Sequence, residues 1–173
     1  MTERGADANQ ENFVKRLMFV LAILFLGAVA VRPVLAQDSP FIGTWKLNTA
    51  KSNSGSMPMP KSLTRTVTAD GSGLKYAYDG VAADGNAITY GFSTNFDGKA
   101  SSVMGSGMPG GADSITLKRI SANKVVATLA KGGKEIGKSE AEVSADGKVA
   151  TVKSKGKTAD GKEFSTTSVF DKQ

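Results

Sequence analysis

The 173-residue chain contains neither cysteine nor histidine. Without them no disulfide forms, no Ser-His-Asp or Cys-His nucleophile system can be assembled, and no zinc site of nitrogen and sulfur ligands is available. Bacterial lipid attachment to an N-terminal cysteine is excluded for the same reason. Arginine is almost as scarce: beyond residue 36 only Arg65 and Arg119 occur, beside sixteen lysines. A dedicated phosphate reader uses the planar arginine fork, whereas scattered lysine reads as a solvated face. Nucleic acid is therefore not an expected partner, despite a formal net charge of +6. Paired carboxylates remain as a route to acid–base chemistry, but nearly every aspartate beyond residue 36 stands in a turn signal. These absences lead to the expectation of a protein that is not an enzyme, with no catalytic residue, metal or cofactor.

The one long apolar run is "LMFVLAILFLGAVAV", Leu17 to Val31, preceded by Lys15 and Arg16 and followed by Pro33. Val34-Leu35-Ala36 then places small residues where a signal peptidase reads them. This layout predicts a secretory signal peptide over residues 1–36, with Gln37 as the new N-terminus. A second cut after "AVA" (Ala28 to Ala30) and an uncleaved anchor are the weaker readings, since a membrane span needs about 20 apolar residues. Residues 37–173 then form one domain, secreted or periplasmic, without stable membrane insertion, and expected to be a monomer. Lacking disulfides, it must rely on packing and hydrogen bonds.

What is abundant is punctuation. "ADG" recurs at Ala69 to Gly71, Ala83 to Gly85, Ala145 to Gly147 and Ala159 to Gly161, and "FDGK" stands at Phe96 to Lys99. Asp-Gly supplies a turn former and then a residue that tolerates positive φ, which is hairpin chemistry. Single aspartates at successive hairpin tips do not converge as calcium requires. Between the turns lie segments rich in Thr, Val, Ser, Tyr and Phe, and helical periodicity is absent. Ten strands are predicted, at 42–48, 62–69, 73–82, 86–95, 99–104, 114–120, 124–131, 135–144, 148–157 and 162–170.

Turn lengths fix the register of the last three strands. A two-residue turn at Asp146-Gly147 sets Val143 opposite Ala150, Ala141 opposite Val152 and Glu140 opposite Lys153. A three-residue loop at 159–161 sets Ser154 opposite Thr166, Val152 opposite Ser168 and Lys157 opposite Glu163. One face then carries Ala141, Val143, Ala150, Val152, Phe164 and Phe170. The other carries Lys153, Lys155 and Lys157 with acidic partners, a sorting that a one-residue slip would scramble.

The only tryptophan lies in "FIGTWKLN", Phe41 to Asn48. Its Gly43-Thr44-Trp45 resembles the first strand of the calycin superfamily, the lipocalins and intracellular fatty-acid-binding proteins. "GTWKLNTAKS", "PKS", "FDGK", "LKRI", "DGK" and the terminal "FDKQ" together are similar to a group of secreted bacterial lipocalin-like proteins. The resemblance implies an all-β fold, an antiparallel up-and-down, lipocalin-like barrel of eight to ten strands, with Gly43 and Trp45 as a structural plug at one end. It also implies an arginine across the tryptophan ring. Arg119 shares an alternating face with Ile115 and Leu117, and Arg65 with Leu63 and Val67. Each either reaches the ring or points to solvent.

Three departures bear on function. "TAKSNSGSMPMPK" (Thr49 to Lys61) is too polar and broken for the helix pair of fatty-acid-binding proteins. Their Arg-x-Tyr carboxylate anchor falls on Ser168 and Phe170, and the lipocalin disulfide is impossible. The function expected is non-catalytic binding of a small apolar or amphipathic ligand in the bacterial cell envelope. The alternative is an envelope interaction protein with a filled barrel, acting through its loops or lysine face. Tyr76, Tyr78, Tyr90 and Phe92 either line the ligand site or fill the core. Phe164, Thr166, Ser168, Phe170 and Arg119 complete the candidate set. Hydroxyls without a buried cation predict a preference for neutral amphiphiles over fatty acids. Met57, Met59, Met104 and Met108 fall in two loops and read as an adaptable apolar rim rather than a copper site.

Overall fold

The computed structural model describes residues 39–158 and 161–173; the expected signal peptide lies outside them. The described chain is all-β and antiparallel: β1 (Gly43–Leu47), β2 (Ser62–Asp70), β3 (Gly73–Val81), β4 (Ala87–Thr94), β5 (Asp97–Ser102), β6 (Met104–Ser106), β7 (Ser114–Ser121), β8 (Lys124–Lys131), β9 (Lys134–Val143), β10 (Val149–Lys157) and β11 (Glu163–Lys172). A single 3-10 turn, Pro109–Gly111, is the helical content of the described residues. All ten expected segments are strands. The eleventh, β6, comes from dividing the expected 99–104 strand.

The sheet runs β5-β7-β8-β9-β10-β11-β1-β2-β3-β4-β6. Its two ends, β5 and β6, are consecutive in the chain and separated only by Val103. The segment from Asp97 to Ser106 therefore bonds first to β7 (Ser101 opposite Ile115) and then to β4 (Tyr90 opposite Gly105). By changing partners half-way it draws the two edges together and nearly closes the barrel, leaving little unpaired edge. The two termini of the domain meet at the opposite side of the ring, where β1 pairs with β11.

Each hairpin register follows from its turn. Val143 faces Ala150, Glu140 faces Lys153 and Ser154 faces Thr166, as the turn lengths require. Gly147 makes the first of these turns possible: it adopts φ +70°, a region costly for any residue with a Cβ. The inward positions of β9 to β11 then bury Val143, Ala150, Phe164 and Phe170, while Lys153, Lys155 and Lys157 are exposed. The expected acidic partners hold only in part. Lys157 reaches Glu163 at 3.8 Å, but Glu140 turns to Lys124 on β8 at 2.8 Å rather than to the opposed Lys153. Lys124 is itself drawn towards Glu142 at 4.0 Å, so two carboxylates share one ammonium.

β11 is ten residues long, yet β1 covers only Phe170 to Lys172. The polar stretch after β1 supplies the rest. Asn48 N–H bonds the Val169 carbonyl, Asn53 and Thr167 exchange both backbone bonds at 2.7 Å, and the Ser56 hydroxyl reaches the Glu163 carbonyl. The segment that lacks helical character thus serves as irregular cover for β11.

Candidate functional site

Trp45, on β1, belongs to the buried core of the barrel. Its side chain is fully buried and its indole N–H donates to the Phe41 carbonyl at 2.9 Å. Gly43 takes φ +133°, and a Cβ there would stand 2.7 Å from Cε of Lys172. The lysine needs that space, because its ammonium lies 5.0 Å from the Trp45 ring centroid. The buried indole thus has the Lys172 ammonium over its ring, a cation–π contact.

The arginine across the ring is Arg65. In the β1–β2 ladder Trp45 faces Arg65 directly, and the guanidinium carbon sits 5.2 Å from the Trp45 centroid and 4.9 Å from that of Phe170. Arg119 does something else. β7 pairs with β5, which brings Arg119 beside Phe96, 4.4 Å from its ring centroid. Phe96 has a positive φ of 58° at the junction of β4 and β5, so Arg119 braces the barrel's seam. It is not among the residues that line the interior cavity, although its charge, like that of Arg65, acts on the Tyr76 phenol.

A cavity of about 130 Å³ lies inside the barrel. Phe41, Arg65 and Phe170 border it, and so do Met108 and Pro109 of the loop before β7. Tyr76, Tyr78, Tyr90, Phe92, Thr166, Ser168 and Phe170 all contribute to the wall. Phe164 is buried but lies outside that wall, 3.9 Å from where a Cβ on Gly110 would stand. Of the four methionines in the two loops only Met108 lines the cavity, and Met104 is largely exposed. The aromatic wall is ordered by cross-strand pairing. Tyr76 faces Phe92 and Tyr78 faces Tyr90, with centroids 4.9 and 4.4 Å apart and nearly parallel rings.

The polar groups of the cavity fall in two places. On β9 to β11, Ser139 and Ser154 share a hydrogen bond at 2.7 Å, next to Thr166 and Ser168. On the paired strands β2 and β3 stand Arg65 and Tyr76. Burial pushes the Tyr76 phenol well above its ordinary value, with Tyr78 adding to the rise and Arg65 opposing it. Tyr90 is raised in the same way, first by burial. Both phenols are thus neutral donors throughout the physiological range.

The expectation of a lumen without a buried cation is corrected here. Arg65 is 1% exposed. Sharing a face with Leu63 and Val67 left it a choice between the ring and solvent, and the neighbours that decide it, Trp45 and Phe170, come from β1 and β11.

No protein-family model and no curated protein matches this chain. Twelve solved chains do match in structure. One is the zebrafish ileal bile acid-binding protein complexed with cholic acid, at 15% identity over 78% of this chain and 100% of that chain, with a TM-score of 0.49. Another is EF1p2_mFAP2b bound to DFHBI, at 11% identity over 80% of this chain and 98% of that chain, with a TM-score of 0.43.

Proposed function

We propose that this protein binds a small apolar or amphipathic molecule inside its barrel, without catalysis, after export to a bacterial cell envelope or beyond. The observation that carries the reading is the internal cavity, walled by stacked aromatic rings and supplied with a few polar groups at two points. That combination is what small-molecule sites use: apolar area for affinity and sparse polar groups for orientation. Export rests on the Leu17 to Val31 run and the following Val34-Leu35-Ala36, and N-terminal sequencing of the exported protein is expected to begin at Gln37.

Native mass spectrometry of protein taken from its own envelope tests the binding. A stoichiometric mass increment that is lost on denaturation supports it. A second reading has one observation in its favour. The cavity falls below the roughly 300–1,000 Å³ usual for ligand pockets, as it would in a filled barrel acting through its loops or lysine face. An empty monomer that captures an envelope protein would favour that reading.

A further inference from the structure

Among the described residues Arg65 is a buried cation without a counter-ion. Its Nε and Nη2 have no hydrogen-bond partner, and no ion pair among the described residues includes it. The Tyr76 hydroxyl is buried and unpartnered as well. Unpaired buried donors are uncommon, and a buried unpaired charge is more costly than either. The two rings beside the guanidinium, Trp45 and Phe170, offset part of that cost through their π faces, but they leave its Nε and Nη2 unsatisfied. That free edge is informative. Nε–H and the adjacent Nη2–H point the same way and form the side of the fork that grips two oxygens of one carboxylate.

We infer that the lumen takes a compact carboxylate, whose two oxygens accept from Nε and Nη2 of Arg65 while Tyr76 donates its hydroxyl, the apolar part lying along the Tyr78, Tyr90 and Phe92 wall. This deepens the ligand-binding reading and rests on it. The cavity of about 130 Å³ limits the apolar part to about the bulk of benzene, which fills an engineered hole of about 150 Å³. The free donors are buried, so the head group enters by shifting a neighbouring side chain. A neutral alcohol of the same size satisfies the wall but leaves the cation unpaired, and the discrimination comes from that difference.

The single tryptophan supplies the reporter: one indole N–H crosspeak, from the residue that stacks on Arg65. Titration of the ¹⁵N-labelled protein with hexanoate and with hexan-1-ol is expected to show hexanoate at least tenfold tighter, moving the indole and Arg65 Nε–H peaks together. In Arg65→Met the acid-to-alcohol ratio is expected to fall to about one. If circular dichroism shows that variant unfolded, Tyr76→Phe decides, with an expected fall in the ratio of at least threefold. Hexan-1-ol binding as tightly as hexanoate would overturn the carboxylate and leave lumen binding standing. Hexanoate shifts confined to the lysine face would overturn it too. Binding by neither compound would remove both the carboxylate and the lumen site. Hexadecanoate displacing hexanoate would overturn the compact ligand.

Discussion

Replacing Trp45 by alanine removes a fully buried indole from the barrel core. Losing a buried aromatic of this size costs about 3–5 kcal/mol. Two local consequences push towards the upper end. The Phe41 carbonyl loses the donor that reaches it at 2.9 Å, and Arg65 loses one of its two aromatic faces. A loss of about 4 kcal/mol with a urea slope of about 2 kcal/mol per M lowers the midpoint by about 2 M. Because domains of this kind are stable by only about 5–15 kcal/mol, the variant is expected to be barely folded at 37 °C. Trp45→Phe keeps much of the volume but orphans the carbonyl, which costs about 1–3 kcal/mol. Both variants are followed by far-ultraviolet circular dichroism, since each deletes the fluorophore. The unmodified protein should emit at short wavelength and resist iodide quenching. An alanine variant whose midpoint moves by less than about 0.5 M, near 1 kcal/mol, would refute the plug.

Acid should destabilise the protein only below about pH 4. Asp113, Asp146 and Asp171 are held below the ordinary carboxyl value chiefly by hydrogen bonds from Gly132, Ser144 and Asn48 respectively. With folded values depressed, their contribution is present above the unfolded value near 3.9 and fades as pH falls through the folded ones. With no histidine in the chain, Tm should be level between about pH 5 and 7, and a step near 6 would contradict this. Alkali acts through Tyr76 and Tyr90, whose raised values mean that stability is intact below about pH 10 and declines as pH rises past it. Their tyrosinate absorbance should appear together with loss of the β signal; earlier ionisation would place them in solvent. Gly147→Ala should cost about 1–2 kcal/mol in a thermal melt, through backbone conformation alone, because a Cβ there meets nothing within 4 Å. An unchanged or raised Tm would mean that the turn lacks its left-handed residue.

The fold was legible because its information is local. Asp146-Gly147 and the loop before Lys162 set β9, β10 and β11 in register, and period-two alternation then placed Phe170 inside and Lys153 outside. The partner exchange at Val103 was not legible. Nothing in "KASSVMGS" (Lys99 to Ser106) distinguishes a strand that keeps its neighbour from one that leaves β7 for β4. Side-chain choice along the lysine face was not legible either: register put Glu140 opposite Lys153, while rotamer freedom on an exposed surface gave it to Lys124.

The same distinction explains why the cavity wall could be named and its chemistry could not. Tyr76, Tyr78, Tyr90 and Phe92 come from neighbouring strands of one hairpin, so parity and a short turn bring them together. Arg65 and Arg119 look alike by that criterion, each sharing an alternating face with apolar residues, Leu63 and Val67 for the first and Ile115 and Leu117 for the second. What separates them is the order of strands around the ring. β1 reaches β2 only after the fourteen residues 48–61, and reaches β11 only when the chain ends meet. Those long-range pairings put Trp45 and Phe170 around Arg65 and leave its fork without a carboxylate, whereas β5 gives Arg119 a half-exposed place on Phe96. A charge becomes a binding feature when its neighbours fail to satisfy it. In a barrel, alternation along a strand decides which side chains enter the lumen, but closure of the ring decides which of them enter it unpaired.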